Sequence, residues 1–394
     1  MKIMFLTEFP VVPHLGGIER VTYTLAENFI KKGHNVSFVS LRTIAYNDGS
    51  TEFSSFQYFL ADDKEKQVIS FNKIIEELKP DIIINQLFTT EGAELLGKIT
   101  DRRIKRISVW HNQPFAVYGR ERFVKKLTFR NNLKGKLLKY IGICFPFIYR
   151  QAYLKSNKRK FNYILSKSDR IFLLSDKFIA RILRVFPGLN LKKFDAINNP
   201  NAFPLSMEKL EDKENILLFV GRLEDPQKNV RGFIDVWKNF YPRHKDWKAL
   251  IIGDGPHRSV FEEYARRAGV EALEFLGNRK DINNYYRRAK LLCMPSVYEG
   301  WPMVLAESMA LECVPVAFDS FESVNEIIKN DKTGFIVPSF DTIKMTDSLD
   351  LLAHNEAKRK EMASAGKSHL KNFEASKIAE IWIEKLSSLI SEKQ

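Results

Sequence analysis

Short apolar strands and amphipathic helices alternate along this chain in two runs separated by a single break, and that pattern limits its fold more than any other feature. The first run opens with KIMFLT at 2–7, apolar enough for a strand covered on both faces. A helix is predicted over 18–32, with Ile18, Val21, Leu25 and Phe29 at helical spacing and Gly33 closing it. Strands are predicted over 35–40, 81–85, 107–110, 170–174 and 195–197, with helices over 71–78 and from Asp176. Asn198-Asn199-Pro200-Asn201 ends this run, and the chain stays polar and turn-rich to Asn215, which puts a domain boundary here. The second run places strands over 216–221, 249–253, 274–276, 291–295 and 314–317. Helices lie between them, one carrying Val230, Phe233, Ile234 and Trp237 on one face and another ending at Ala268. Strands joined through helices lie parallel, so the expected class is α/β with two doubly wound sheets. The last helix, over 376–390, groups Ile378, Ile381, Trp382, Leu386 and Ile390, a stripe that needs a domain surface to cover it.

Length agrees with two domains, because 394 residues exceed one typical core. Cys144, Cys293 and Cys313 show no metal-ligand spacing and no disulfide framework, which fits a reducing compartment. MKIMFLTEFP meets its acidic residue and proline too early for a signal peptide. The longest apolar run, 140–149, contains Pro146 and is shorter than the roughly 20 residues a membrane span needs. Net charge is +14 but unevenly placed: residues 1–200 hold 34 Lys and Arg against 18 Asp and Glu, the remainder 28 against 30. The excess peaks over 119–163, where 13 basic residues face only Glu121 and alternate with large apolar side chains. Such a segment suits an anionic membrane surface, a nucleic-acid groove or a solvated basic hairpin, and the membrane reading is preferred.

In open α/β sheets, ligands lie at the carboxyl ends of strands. Three clusters fall there. Gly16 and Gly17 precede the first helix, where glycines allow close approach of a phosphate or form a plain tight turn; no G-x-G-x-x-G is present. His111 comes directly after the strand at 107–110, with Asn112 and Gln113 beside it, and could serve a substrate or the fold. Arg222 leaves the strand at 216–221, and Lys228 is expected to open the next helix, so the two cations could meet a diphosphate. The stretch SVYEGWPMVLAE at 296–307 adds a helix start. Pro302 is expected in the first turn, leaving the amides of Trp301, Met303 and Val304 open to an anion. Glu307 is alone on an apolar face and is costly there without a hydrogen-bond partner. No D-x-D, no H-E-x-x-H and no Cys/His cluster is present, so no protein-ligated metal is expected.

Taken together, Gly16-Gly17-Ile18-Glu19-Arg20, His111, Val220-Gly221-Arg222-Leu223 with Lys228, Gly253-Asp254-Gly255-Pro256, Phe275-Leu276-Gly277 and the Glu299 to Glu307 element resemble the retaining glycosyltransferases of family 4. The pieces run in family order over nearly the whole chain. The resemblance implies a GT-B fold, two Rossmann-like doubly wound domains facing a central cleft, with the C-terminal helix crossing back to the N-terminal domain. It implies an acceptor-binding domain over 1–200 bearing the membrane-facing segment 119–163, a nucleotide-sugar domain over 201–375, and the returning helix over 376–394.

By the same resemblance, Arg222 and Lys228 bind the donor diphosphate, Glu299 faces the donor sugar, and His111 reaches its hydroxyls. Gly16 and Gly17 lie under the phosphates, while Gly300, Trp301, Pro302, Met303 and Val304 hold sugar and phosphate. Glu307 takes the ribose hydroxyls, and Gly277 with Arg279 takes the base. The implied reaction is metal-independent transfer from a nucleotide sugar, a UDP-sugar, to a lipid-linked or glycan acceptor in polysaccharide or lipopolysaccharide assembly. No cofactor beyond that co-substrate is implied. The place of action would be the cytoplasmic side, peripheral on the inner face of the membrane. A non-catalytic nucleotide-sugar-binding protein of this fold and a nucleic-acid binder are the alternatives. The chain departs from the usual pattern at Gly300-Trp301-Pro302 and at Asp319-Ser320-Phe321-Glu322-Ser323, where relatives often carry other glycine patterns.

Overall fold

The computed structural model describes residues 1–43, 57–61, 63–116, 146–203, 205 and 213–392. Cys144 and residues 119–145 of the basic segment lie outside them. The described chain forms two compact units: Met1–Phe115, Ala152–Ala202 and the chain from Phe373 onward make the first, and Phe203–Asn372, with Ala116 and the first turns of the helix that starts at Pro146, the second.

The N-terminal unit runs β1 (Lys2–Thr7), α1 (Gly17–Lys31), β2 (Asn35–Ser40), β3 (Gln57–Phe59), α2 (Lys64–Leu78), β4 (Ile82–Asn85), α3 (Thr90–Lys98) and β5 (Lys105–Trp110). It continues through α4 (Pro146–Lys167), β6 (Arg170–Leu173), α5 (Asp176–Val185) and β7 (Phe194–Ala196). All seven strands are parallel, in the order β3-β2-β1-β4-β5-β6-β7. The order reverses between β1 and β4. β4 reads IIIN and is wholly buried, as a strand covered on both faces must be. Phe5 stacks on Phe29 at 6.1 Å and on Phe38 at 5.8 Å, joining β1 to α1 and β2.

The C-terminal unit runs β8 (Glu214–Val220), α6 (Val230–Phe240), β9 (Lys248–Ile252), α7 (Arg258–Ala268), β10 (Leu273–Gly277), α8 (Ile282–Arg288), β11 (Ala289–Met294) and α9 (Met303–Ala310). β12 (Val314–Phe318), α10 (Val324–Ile327), β13 (Phe335–Val337), α11 (Thr342–His354) and α12 (Glu356–His369) complete it. Its parallel sheet has the order β10-β9-β8-β11-β12-β13, reversing between β8 and β11. Trp237, Phe233 and Phe240 of α6 are fully buried over this sheet.

Several helices differ from their expected form. α2 starts seven residues before the predicted 71, because Asp63 accepts from the amides of Glu65 and Lys66 and a charged first turn carries no apolar period. α3, α11 and α12 begin at the caps Thr89, Asp341 and Asn355 and were not legible from apolar spacing. The chain ends in α13 (Ala375–Ser391), which returns to the N-terminal unit. Trp382 lies 4.8 Å from the ring of Phe172, and Lys385 and Glu380 pair with Asp195 and Lys32. Its buried stripe is Ile378, Ala379, Trp382, Leu386 and Leu389; Ile381 is 40% exposed, so the predicted inclusion of Ile381 and Ile390 is corrected by about one helical step. Among the described residues, no helix is long and apolar enough to cross a membrane.

Candidate active site

In the C-terminal unit, the loops leaving β8, β9 and β10 press so closely on one another that glycine is required. Gly253 has φ +131°, and a Cβ there would overlap the carbonyl oxygen of Gly221. A Cβ on Gly255 would come within 2.5 Å of the Leu223 carbonyl oxygen. Backbone bonds seal the contact: Gly221 N–H donates to Ile252 at 3.0 Å, Gly253 to Gly277 at 2.9 Å and Leu223 to Asp254 at 2.9 Å. The Gly253-Asp254-Gly255-Pro256 motif is thus a close-packing device under the β8 loop. Gly277, at φ +70°, closes β10, and Arg279 beyond it is exposed.

Across the point where strand order reverses, the β8 and β11 loops are stitched together. Val297 N–H donates to the Gln227 carbonyl at 2.7 Å, and the Asn229 amide to the Pro295 carbonyl at 3.0 Å. Lys228 Nζ donates to Glu299 Oε1 at 2.7 Å, and Gln227 Nε2 to Glu299 Oε2 at 3.2 Å. The two charged side chains are only 20% and 6% exposed. Lys228 does not open the helix as expected. It precedes the cap Asn229, whose φ of +52° turns the chain into α6, and its stem lies over Gly221, where a Cβ would stand 3.3 Å from Cδ. Arg222 diverges from it: 72% exposed, it pairs with Glu224.

α9 starts one residue later than the expected arrangement, with Pro302 as the cap and no side-chain cap bond. Leu305 N–H donates to the Pro302 carbonyl at 3.2 Å; among the described residues no acceptor is recorded for the amides of Met303 and Val304. Trp301 is buried. Two serines from the departing loop hold this stretch: Ser320 Oγ donates to the Ser296 carbonyl at 2.6 Å and Ser323 Oγ to the Gly300 carbonyl at 2.5 Å. Glu307 is 1% exposed and accepts from the hydroxyl of Tyr286 at 3.1 Å. The chain therefore supplies a partner that apolar spacing could not reveal, because Tyr286 comes from α8.

In the N-terminal unit, His111 sits just past the end of β5 and keeps part of its surface exposed. Its Nε2 meets Gln86 Oε1 at 2.5 Å, and burial of the imidazole pushes it down to about 4, so it is neutral near pH 7. Gly16 caps α1 in extended conformation and Gly17 is the first helical residue. The Glu19 carboxylate folds against Gly16, with Oε2 2.4 Å from where a Cβ would stand, and its burial raises its proton affinity. An acid of the chain itself thus stands at the helix terminus considered for a phosphate.

Among the described residues, one group has metal-type donors, His244, Asp350 and His354, which sequence spacing does not reveal because His244 and Asp350 are over 100 positions apart. They satisfy one another: His244 Nε2 lies 2.6 Å from Asp350 Oδ1, and the His354 ring bonds the Asp350 carbonyl at 3.0 Å. Arg243 also approaches Asp350, at 3.6 Å.

Comparison with known proteins agrees with this geometry. Residues 206–369 match the family model described as Glycosyl transferases group 1, and residues 15–200 that of Glycosyltransferase Family 4. The chain is 26% identical to a Campylobacter jejuni GalNAc-α-(1→4)-GalNAc-α-(1→3)-diNAcBac-PP-undecaprenol α-1,4-N-acetyl-D-galactosaminyltransferase, over 99% of each. It is 33% identical to the amylovoran biosynthesis glycosyltransferase AmsD of Erwinia amylovora over 51% of this chain and 55% of that one. Similar folds include the Anabaena HepE complex with UDP-glucose, TM-score 0.73 at 16% identity over 98% of this chain and 100% of that one. Sucrose-phosphate synthase of Thermosynechococcus elongatus gives a TM-score of 0.77 at 15% identity over 100% of both chains. With both units matched in order and the fold shared, the chain belongs to the family 4, group 1 glycosyltransferases of GT-B fold.

Proposed function

We propose that this glycosyltransferase moves a sugar from a UDP-sugar to a lipid-linked glycan acceptor, with retention and without a metal, in surface polysaccharide or lipopolysaccharide assembly. The observation that carries the reading is the Lys228–Glu299 pair at the strand-order reversal of the C-terminal unit, beside the amides of Met303 and Val304, which have no acceptor among the described residues. A cation and an open helix start together suit a diphosphate whose charge grows as the glycosidic bond breaks. Arg222 is exposed enough to swing from Glu224 onto the outer phosphate. Glu307 takes the ribose hydroxyls beside Tyr286, Gly277 and Arg279 flank the base, and His111 offers a neutral imidazole to a sugar hydroxyl.

In the proposed chemistry, the bond from the anomeric carbon to phosphate breaks, the acceptor oxygen bonds to the same face, and its proton passes to the departing phosphate. Glu299 is not cast as nucleophile, because both its carboxylate oxygens are held, by Lys228 and Gln227. The Campylobacter relative is named for an α linkage and an undecaprenyl-diphosphate acceptor, which supports retention and a lipid-linked substrate here. Lys155, Lys158, Arg159 and Lys160 lie exposed on α4, which supports a peripheral seat on anionic lipid at the inner face of the membrane.

A thermal-shift and hydrolysis screen over UDP-, GDP- and ADP-sugars tests the donor. UDP-sugars should raise the melting temperature and be hydrolysed, and Lys228→Ala should abolish both. Stabilisation without hydrolysis or transfer to any polyprenyl-diphosphate glycan would establish the non-catalytic alternative. Equal flotation on neutral and anionic vesicles would sink the membrane assignment.

A further inference from the structure

We infer that Gln86 is the positioning residue for His111: its amide holds the imidazole as the Nε2–H tautomer and leaves Nδ1 to accept from a sugar hydroxyl. The inference rests on the proposed role of His111. Gln86 comes directly after β4, at the strand-order reversal of the N-terminal unit, and its backbone N–H donates to the Leu6 carbonyl of β1 at 2.9 Å. The backbone there is fixed by neighbours on both sides, since Asn85 also bonds Ser108 of β5 and the amide of Leu87.

The side chain of Gln86 is 2% exposed, so it does not itself reach solvent or a ligand. Its Oε1 meets His111 Nε2 at 2.5 Å, and its Nε2 has no partner among the described residues. A buried amide with half its hydrogen bonding unmet is costly. Methionine would fill the same space without that cost, so packing does not account for a glutamine here. Among the described residues, the imidazole is the partner that does. The atom of Gln86 that faces the ring is its carbonyl oxygen Oε1, which can only accept, so the hydrogen bond between them needs the proton on the imidazole. A carbonyl acceptor at Nε2 places the proton there and bares Nδ1, just as a buried acceptor sets the tautomer of catalytic histidines elsewhere. Behind the partly exposed His111, Gln86 acts only through it.

The test is nitrogen NMR of histidine-labelled full-length protein at pH 7, with His111 assigned by its absence in His111→Gln. Wild type should show a protonated Nε2 and a bare Nδ1. In Gln86→Met, the two shifts should move toward each other as both tautomers populate. Turnover of UDP-glucose, UDP-galactose and UDP-N-acetylgalactosamine should fall about 10-fold or more in kcat with KM little changed. Gln86→Glu keeps an acceptor at Nε2 and should restore the tautomer, with activity that now falls on acidification as the added carboxylate favours imidazolium. A proton on Nδ1 in wild type, or Gln86→Met with unchanged shifts and kcat, overturns the inference. His111→Ala with wild-type turnover would instead overturn the role of His111, and is told apart because the wild-type tautomer would still depend on Gln86.

Discussion

The strand ends of the two units solve the same geometric problem with opposite chemistry. In the C-terminal unit the reversal point carries charge: Lys228 and Glu299 are paired, largely buried, and pinned by loops that only glycine can pack. In the N-terminal unit the exits of β4 and β5 carry a neutral pair: Gln86 and an uncharged His111 share one hydrogen bond, and Phe88 stacks on Trp110 at 4.2 Å beside them. A diphosphate needs fixed charge in a place that excludes water, while a sugar needs hydrogen bonds and apolar faces. The proposed function assigns the charged strand ends to the diphosphate and the neutral ones to a sugar.

The comparison breaks first at Lys228. Lys228→Ala leaves Glu299 buried beside Gln227 alone, and should cost about 3–5 kcal/mol of stability by chemical denaturation. Donor turnover should drop about 100- to 1,000-fold. If both stay near wild type, the charged end has no special role. Next is Gly253→Ala, which forces a side chain onto the Gly221 carbonyl and should lower the unfolding free energy by about 2–4 kcal/mol. A tolerated alanine would mean these loops are not locked together. Glu307→Gln keeps an acceptor for Tyr286, so stability should hold within about 1 kcal/mol while KM for a UDP-sugar rises about 10-fold.

The neutral end is sharpened by pH. His111 has its folded value lowered from 6.5 to about 4, so the unfolded chain binds more protons between those values. Its contribution is complete above pH 6.5 and is lost as pH falls toward 4. His111→Gln should therefore flatten the decline of melting temperature across that window; an unchanged decline would show that other groups cause it. The smallest effect is expected at Arg222, whose exposed pairing with Glu224 is worth about 0.5 kcal/mol or less. Arg222→Ala should leave the melting curve in place while lowering turnover, separating a ligand role from a structural one.

Much of the candidate site is legible in the sequence because it falls at strand ends, and strands announce themselves as short apolar runs. Arg222, Lys228 and His111 stand out on that ground, and Glu299 and Glu307 on the helix start beside them. Their partners do not. Apolar spacing singles out neither Gln227 nor Tyr286, and the short helix that carries Tyr286 was not predicted. Ser320 and Ser323 read as a departure from pattern, although they bind the Ser296 and Gly300 carbonyls. Helix starts are also hidden where a cap such as Asp63, Asp341 or Asn355 replaces apolar spacing as the signal.

By itself, the sequence determined the class of fold, its division into two runs and the residue types at the ends of the strands, since these depend on local periodicity and on where apolar runs stop. Tertiary structure alone decided which of those residues meet. Lys228 turns inward to Glu299 while Arg222, six positions earlier, stays in solvent, and Gln86 finds His111 across two neighbouring strands. Pairing of that kind depends on strand order and on the direction each loop leaves the sheet, which are properties of the assembled unit and not of any stretch of chain.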